Sequence, residues 1–426
     1  MTNLLYRKII LSGCYIWFFV FSAATGLHAD ELTVAYASTE IALVAPNVDL
    51  KEVAPVPQPT PVTGPGVPAA DEEAAAIVAE EKPSAASSRA TQDDSFVILG
   101  AEVAAGTSTR LAWTADGNMS GLSTPTPVMV IRGKEPGKTM CMTAAIHGDE
   151  LNGIEIIRRV MYDIEPESLT GNIIGVPIVN LNGFHRGSRY LSDRRDLNRY
   201  FPGEADGSLA SRMAYSLFHD VIVHCDFLID IHTGSLRRTN LPQIRADLRD
   251  PDVSELTEGF DKMAVMHSGA APGMLRFAAL EHGIPAVTLE VGESLRIQQD
   301  KIENAVNSLN RLLERQGMYS RLFTWGEPEP VYYTSAWIRA EQGGILFSKK
   351  QLGAMIDKGE VLGTVTDPIT NETLDIVSTM EGRIIGMAVN QFVMPGFATY
   401  HIGMEASEQV LADRTTQSSY EGMGLE

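Results

Sequence analysis

Residues 141–163 read CMTAAIHGDELNGIEIIRRVMYD, and this stretch decides the fold. The apolar run 140–146 breaks at His147-Gly148-Asp149-Glu150. A helical period follows, with Leu151, Ile154, Ile157, Val160 and Met161 on one face. The pattern predicts a strand, a tight turn and a helix. Open α/β sheets carry their chemistry at the carboxyl ends of strands, and His147 and Glu150 fall there. An imidazole and a carboxylate three positions apart can grip one small cation from one side. Zinc accepts N and O donors, and a catalytic zinc takes three protein ligands and keeps one position open. H-x-x-E alone is a weak signal, so a third ligand has to be found.

Working outward, NIIGVPIVN (172–180), FLIDI (227–231) and AVTLEV (286–291) read as further buried strands, and 208–223 and 302–316 as helices. Strands alternating with helices predict a largely parallel sheet covered on both faces, an α/β domain over residues 95–326. FVILGAEV (96–103), RLAWTA (110–115) and PVMVIRG (127–133) add short strands at its start. Beyond residues 327–330 the texture turns to β: YYTSAWIRA, GGILFS, VLGTVTD, TLDIVS and GRIIGM. These predict a separate small all-β domain over 327–404, followed by a loose acidic tail, 405–426.

The third ligand comes from DIHTG (230–234), which sets His232 just past a buried strand end. His147, Glu150 and His232 give two nitrogens and one carboxylate, a set that leaves a metal-bound water. Asp230 is placed to orient a ligand from outside. Glu290, at the tip of the apolar strand TLEVG (288–292), is the candidate proton acceptor, with Glu293 as fallback. The loop GSRYLSDRRDLNRYFPG (187–203) holds Arg189, Arg194, Arg195, Arg199 and Asn198, the makings of an anion pocket and an oxyanion clamp.

Residues 1–29 read as an export signal: Arg7 and Lys8, an apolar segment over 9–25, then Leu27-His28-Ala29 before the cleavage point. An uncleaved membrane anchor is the second reading and a lipoprotein box at Cys14 the third; all three place the body outside the cytoplasm, in the periplasm or otherwise exported. Residues 30–94, rich in Ala, Pro and Glu, predict a disordered spacer. The formal charge is −20; residues 1–29 carry +2, 30–95 carry −9 and 405–426 carry −4, which leaves −9 on the folded part. Such a surface argues against nucleic-acid binding. Cys141 and Cys225 lie six and seven residues before His147 and His232. A bridge between them requires neighbouring strands; two buried reduced thiols are the expectation.

HGDELNG, DLNR, DIHTG and TLEVG, in this order, resemble the succinylglutamate desuccinylase/aspartoacylase family of zinc hydrolases, within the wider zinc carboxypeptidase group. The resemblance covers roughly residues 96–403. It implies a three-layer α/β/α zinc-carboxypeptidase-like domain with a mostly parallel mixed sheet, one zinc, and hydrolysis of an amide in a small N-acyl amino acid. It further implies that His147, Glu150 and His232 ligate zinc and that Glu290 activates water. Arg189 would polarise the scissile carbonyl, Asn198 and Arg199 would hold a substrate carboxylate, and Arg276 would contact substrate. The β domain resembles the carboxyl-terminal domain of bacterial relatives, which narrows access to the zinc. The export signal departs from the cytoplasmic enzymes of that family. Two other readings stand beside this one: a zinc carboxypeptidase-like enzyme trimming cell-wall peptides, and a non-catalytic binding protein with the same fold.

Overall fold

The computed structural model describes residues 95–114, 124–260, 263–320 and 331–407. The expected signal segment, the spacer and nearly all of the tail lie outside them. The described residues all fall in the unit Ser87–Glu426. Their centre is a 12-stranded sheet. In chain order its strands are β1 (Thr107–Trp113), β2 (Thr126–Arg132), β3 (Glu135–Ala144), β4 (Thr170–Val176), β5 (Phe227–Gly234), β6 (Arg238–Ala246), β7 (Ala264–His267), β8 (Ala286–Glu293), β9 (Val331–Arg339), β10 (Met355–Ile356), β11 (Gly382–Ala388) and β12 (Ala398–Glu405). Across the sheet they run β10-β11-β12-β9-β7-β6-β8-β5-β3-β4-β2-β1.

The predicted parallel sheet is its middle. β4, β3, β5 and β8 are parallel, as are β6, β7 and β9; every other neighbouring pair is antiparallel. β6 reverses direction because only residues 235–237 separate it from β5, too few for the crossover that a parallel return needs. Helices lie on both faces of this middle. α1 (Asn152–Asp163) packs with a late helix, Gln299–Arg315, against Met142, Ile229, Ile231, Leu289 and Ile244. α2 (Leu209–Asp220) and α3 (Leu275–Glu281) pack on the other face, with Cys141, Leu228 and Ala286.

In α1 the buried stripe is Gly153, Ile156, Ile157, Val160 and Met161; Leu151 and Ile154 of the expected face are only half-buried. Gly153 shifts it. A Cβ there would stand 2.7 Å from the Ala144 Cβ, so the missing side chain lets α1 lie directly on β3 and β5.

The C-terminal strands correct the expectation of a separate β domain. β9, β12, β11 and β10 continue the central sheet, and β11 turns back to pair with β6. That pairing closes β6-β7-β9-β12-β11 into a five-stranded ring, with Ala264, Met266, Tyr333 and Ile385 packed together. Closure removes two strand edges that would otherwise stand open to solvent. Four other strands, Gly344–Ser348, Val361–Thr366, Thr373–Val377 and Phe392–Val393, do form a small sheet of their own. Among the described residues no helix is long and apolar enough to cross a membrane.

The cysteines are a second correction. Cys141 and Cys225 form a disulfide, their Cα atoms 5.6 Å apart. β3 and β5 are adjacent and parallel, with Met140 opposite Phe227, so Cys225, two residues before β5, is carried to the flank of β3. The bridge closes a loop of sequence separation 84. In the chain-entropy account a loop of that length stabilises by about 4–5 kcal/mol. Reduction should therefore lower the unfolding free energy by about 2–5 kcal/mol, read as a lower guanidinium midpoint. Unfolding curves with and without reductant, and with a Cys141→Ala/Cys225→Ala variant, measure it.

Candidate metal centre and its surroundings

His147 and Glu150 sit in the turn between β3 and α1, closed by a hydrogen bond from the Glu150 amide to the His147 carbonyl (3.1 Å). Gly148 is forced there, because a Cβ would lie 2.1 Å from the Gly183 backbone. His232 rides on β5, and Glu290 on β8 is its register partner. Paired positions on neighbouring strands project from one face, so His232 and Glu290 stand side by side.

Three side chains converge, all buried. His147 Nδ1 lies 2.9 Å from Glu150 Oε1, and His232 Nδ1 lies 2.8 Å from Glu150 Oε2. The two Nδ1 atoms are 3.2 Å apart. One ligand atom from each residue falls within 4.8 Å of the others. The far ring nitrogens are held from behind. His147 Nε2 meets Asp196 Oδ1 at 3.1 Å, and His232 Nε2 meets Asp230 Oδ2 at 2.7 Å. Thr143 Oγ1 donates to the other Asp230 oxygen (2.7 Å). Carboxylates behind the Nε2 atoms keep the ring protons there, so both Nδ1 lone pairs face the centre.

The electrostatics point the same way. Burial pushes the Glu150 carboxyl up, but His147 and His232 outweigh it and hold it far below the usual range. Burial pushes His232 down, yet Asp230 and Glu150 carry it well above its ordinary value. Asp196 is likewise held low against its burial, by His147, Arg189 and Arg199. Three carboxylates, Glu150, Asp196 and Asp230, thus surround the two imidazoles, with Arg189 and, beside Asp196, Arg199 as the nearby cations. Two imidazole nitrogens and one carboxylate are a donor set that a divalent cation such as zinc fits.

Other expected residues divide. Arg189 is buried and bonds both Asp196 Oδ2 (2.9 Å) and, at 3.5 Å, Glu150 Oε1, so it stands at the centre. Glu290 accepts from Asn240 Nδ2 (3.1 Å) and pairs with Arg245 Nε (3.2 Å). Asn198 is buried beside the site, but its Oδ1 accepts from the Leu275 amide (2.8 Å) at the start of α3. Arg199 is exposed and donates to the Asn198 carbonyl (2.8 Å). Arg276 is buried on α3; burial and Arg245 lower its pKa to about 10, and it donates to the Ser268 carbonyl (2.9 Å). Glu293 pairs with Arg296 (3.2 Å), and Arg195 with Asp193 (2.8 Å). Asp196, Asn240 and Arg245 were not anticipated. Asp196 opens the DLNR motif and could have been found there; the other two lie on β6, which has no apolar pattern.

The outer carboxylates give a testable consequence. Asp230→Asn and Asp196→Asn should each weaken metal binding about 10–100-fold, because an outer partner fixes tautomer and ring direction. Competition with a chromophoric chelator measures it; unchanged affinity in both variants would contradict this placement.

Comparison with known proteins is consistent with this geometry. The succinylglutamate desuccinylase/aspartoacylase catalytic domain matches residues 136–315. An N-alpha-acetyl-L-2,4-diaminobutyric acid deacetylase of Halomonas elongata is 23% identical over 253 residues, 57% of this chain and 74% of that protein. A succinylglutamate desuccinylase of Pseudomonas aeruginosa is 26% identical over 244 residues, 50% of this chain and 68% of that protein. Among solved structures, a succinylglutamate desuccinylase/aspartoacylase from Rhodobacter sphaeroides superposes with TM-score 0.63 at 18% identity, over 72% of this chain and 97% of that one. The product-bound ectoine utilization protein of Ruegeria pomeroyi gives TM-score 0.63 at 22% identity, over 70% and 95%. At these identities the structural likeness speaks to the fold.

Proposed function

Residues 136–315 belong to the succinylglutamate desuccinylase/aspartoacylase catalytic-domain family, and from that premise we propose an exported zinc-dependent hydrolase that cleaves the amide of a small N-acylated amino acid. The observation that carries the reading is the convergence of His147 Nδ1, His232 Nδ1 and Glu150, each imidazole backed by its own aspartate. These three residues would hold the zinc. The chemistry zinc supplies in such a site is Lewis acidity, which polarises an acyl oxygen and makes water acidic near neutral pH.

The chain's own residues do the rest. Glu290, beside His232, takes a proton from the attacking water and returns it to the leaving nitrogen. Arg245 and Asn240 hold its two oxygens, which fixes the carboxylate for that transfer. Arg189 meets the negative charge that grows on the acyl oxygen; removing such a donor costs about 10²–10³ in rate. Asn198 and Arg199, which follow Asp196 in the DLNR motif, serve a substrate carboxylate, Arg199 from its exposed position.

The Cys141–Cys225 bridge supports the exported location, since such bonds persist in oxidising compartments. The test is a screen of zinc-loaded protein lacking residues 1–29 against N-acyl amino acids and against cell-wall peptides. Release of the acyl acid with one zinc per chain is expected. Release of an amino acid from the peptides would favour the carboxypeptidase-like reading. No zinc and no hydrolysis would leave a binding protein.

A further inference from the structure

Register places Glu290 between two partners, His232 on β5 and Gln243 on β6. All three project from the face that carries the metal centre. Gln243 is 0% exposed, and among the described residues neither its Oε1 nor its Nε2 has a hydrogen-bond partner. Asn240, three residues before it, is also buried. Its Nδ2 is given to Glu290, and its Oδ1 has no partner among the described residues. Space for that amide depends on β11: a Cβ on Gly386 would stand 2.6 Å from Asn240 Oδ1. On the far side of Gln243 the register partner is Ala264, a small residue. Buried amides left open in this way are costly unless something else completes them.

We infer that Gln243, with Asn240, forms a specificity subsite beside Glu290 that takes a neutral carboxamide on the amino-acid half of the substrate. This rests on the hydrolase reading above. Glu290 hands its proton to the leaving nitrogen, so the part of the substrate that continues past Glu290 onto β6 is the amine half. The open atoms of Gln243 are one acceptor and one two-proton donor side by side, and a carboxamide offers the complement. A charged group fits less well. Gln243 and Asn240 are themselves uncharged and Glu290 is already paired with Arg245, so an ion held by these amides would meet only neutral dipoles.

The experiment compares zinc-loaded wild type with Gln243→Met, an unbranched apolar replacement of similar length, and Gln243→Leu as the second variant. The substrates are N-acetylglutamine and N-acetylmethionine. Wild type should favour the glutamine compound by about tenfold to a hundredfold in kcat/KM, the range set by leaving a buried polar group unpaired. In the variants the ratio should fall toward one. The variants should also melt at a higher temperature than ligand-free wild type, because an unpaired buried amide has been removed. A ratio unmoved by the substitution overturns the inference. So does an equal loss on both substrates with a lower melting temperature, the mark of a purely structural amide. Should wild type hydrolyse neither compound, the hydrolase reading fails separately, and ligand-induced melting shifts then decide the subsite. A larger shift with N-acetylglutamine than with N-acetylmethionine, lost in both variants, supports it; equal or absent shifts overturn it.

Discussion

Replacing His147 by alanine is expected to abolish stoichiometric zinc and bring turnover to the detection limit. The argument is geometric. His147 supplies one of three converging ligand atoms, and its Nδ1 lies within hydrogen-bond distance of both Glu150 and His232. Its loss leaves one imidazole and one carboxylate, too few to hold a catalytic zinc against water. The effect should therefore exceed the about 10–100-fold expected for the outer aspartates. The variant also strips Glu150 of the partner that contributes most to keeping its carboxyl ionised. Glu150 is left buried with one contact fewer, so a lower melting temperature is expected too. Chelation of wild type separates the causes. If dialysis against a strong chelator silences the enzyme and added zinc restores it, the loss in His147→Ala is one of metal. Zinc bound at full stoichiometry in the alanine variant would remove His147 from the centre.

The candidate metal centre was legible in sequence because its residues stand where the pattern changes. His147, His232 and Glu290 each follow or end a run of apolar residues, and a polar residue there is conspicuous. The four motifs also supplied their order. What was hidden lay on β6. RTNLPQIRA carries Pro242 and five polar or charged side chains, so it reads as loop, although it forms nine residues of strand. It is a strand because its neighbours β8, β7 and β11 supply the backbone partners, a tertiary fact with no local signature. With β6 unread, Asn240, Gln243 and Arg245 had no place in the site, and the ring of strands at the C-terminal end could not be foreseen. The disulfide was hidden for a related reason. It follows from β3 and β5 being neighbours, although helices and β4 separate them along the chain.

Glu290→Gln is expected to keep the zinc and lose about 10²–10⁴ in kcat, the usual contribution of a positioned proton carrier. The substitution is nearly isosteric, and its amide oxygen can still accept from Asn240 Nδ2, so the fold and the metal ligands stay in place. What it removes is the ability to take a proton from water and return it to nitrogen. Arg245 loses its ionic partner, which should cost some stability without touching His147, Glu150 or His232. The expected signature is therefore specific: one zinc per chain, a KM close to wild type, and a collapsed kcat. Glu293→Gln is the companion measurement. Glu293 is tied to Arg296 rather than to any group of the centre, so its removal should change kcat by less than about threefold, as for other exposed ion pairs of small energy. Turnover retained in Glu290→Gln and lost in Glu293→Gln would move the proton carrier one turn of strand along, and loss of zinc in Glu290→Gln would show that Glu290 supports the metal instead of the water.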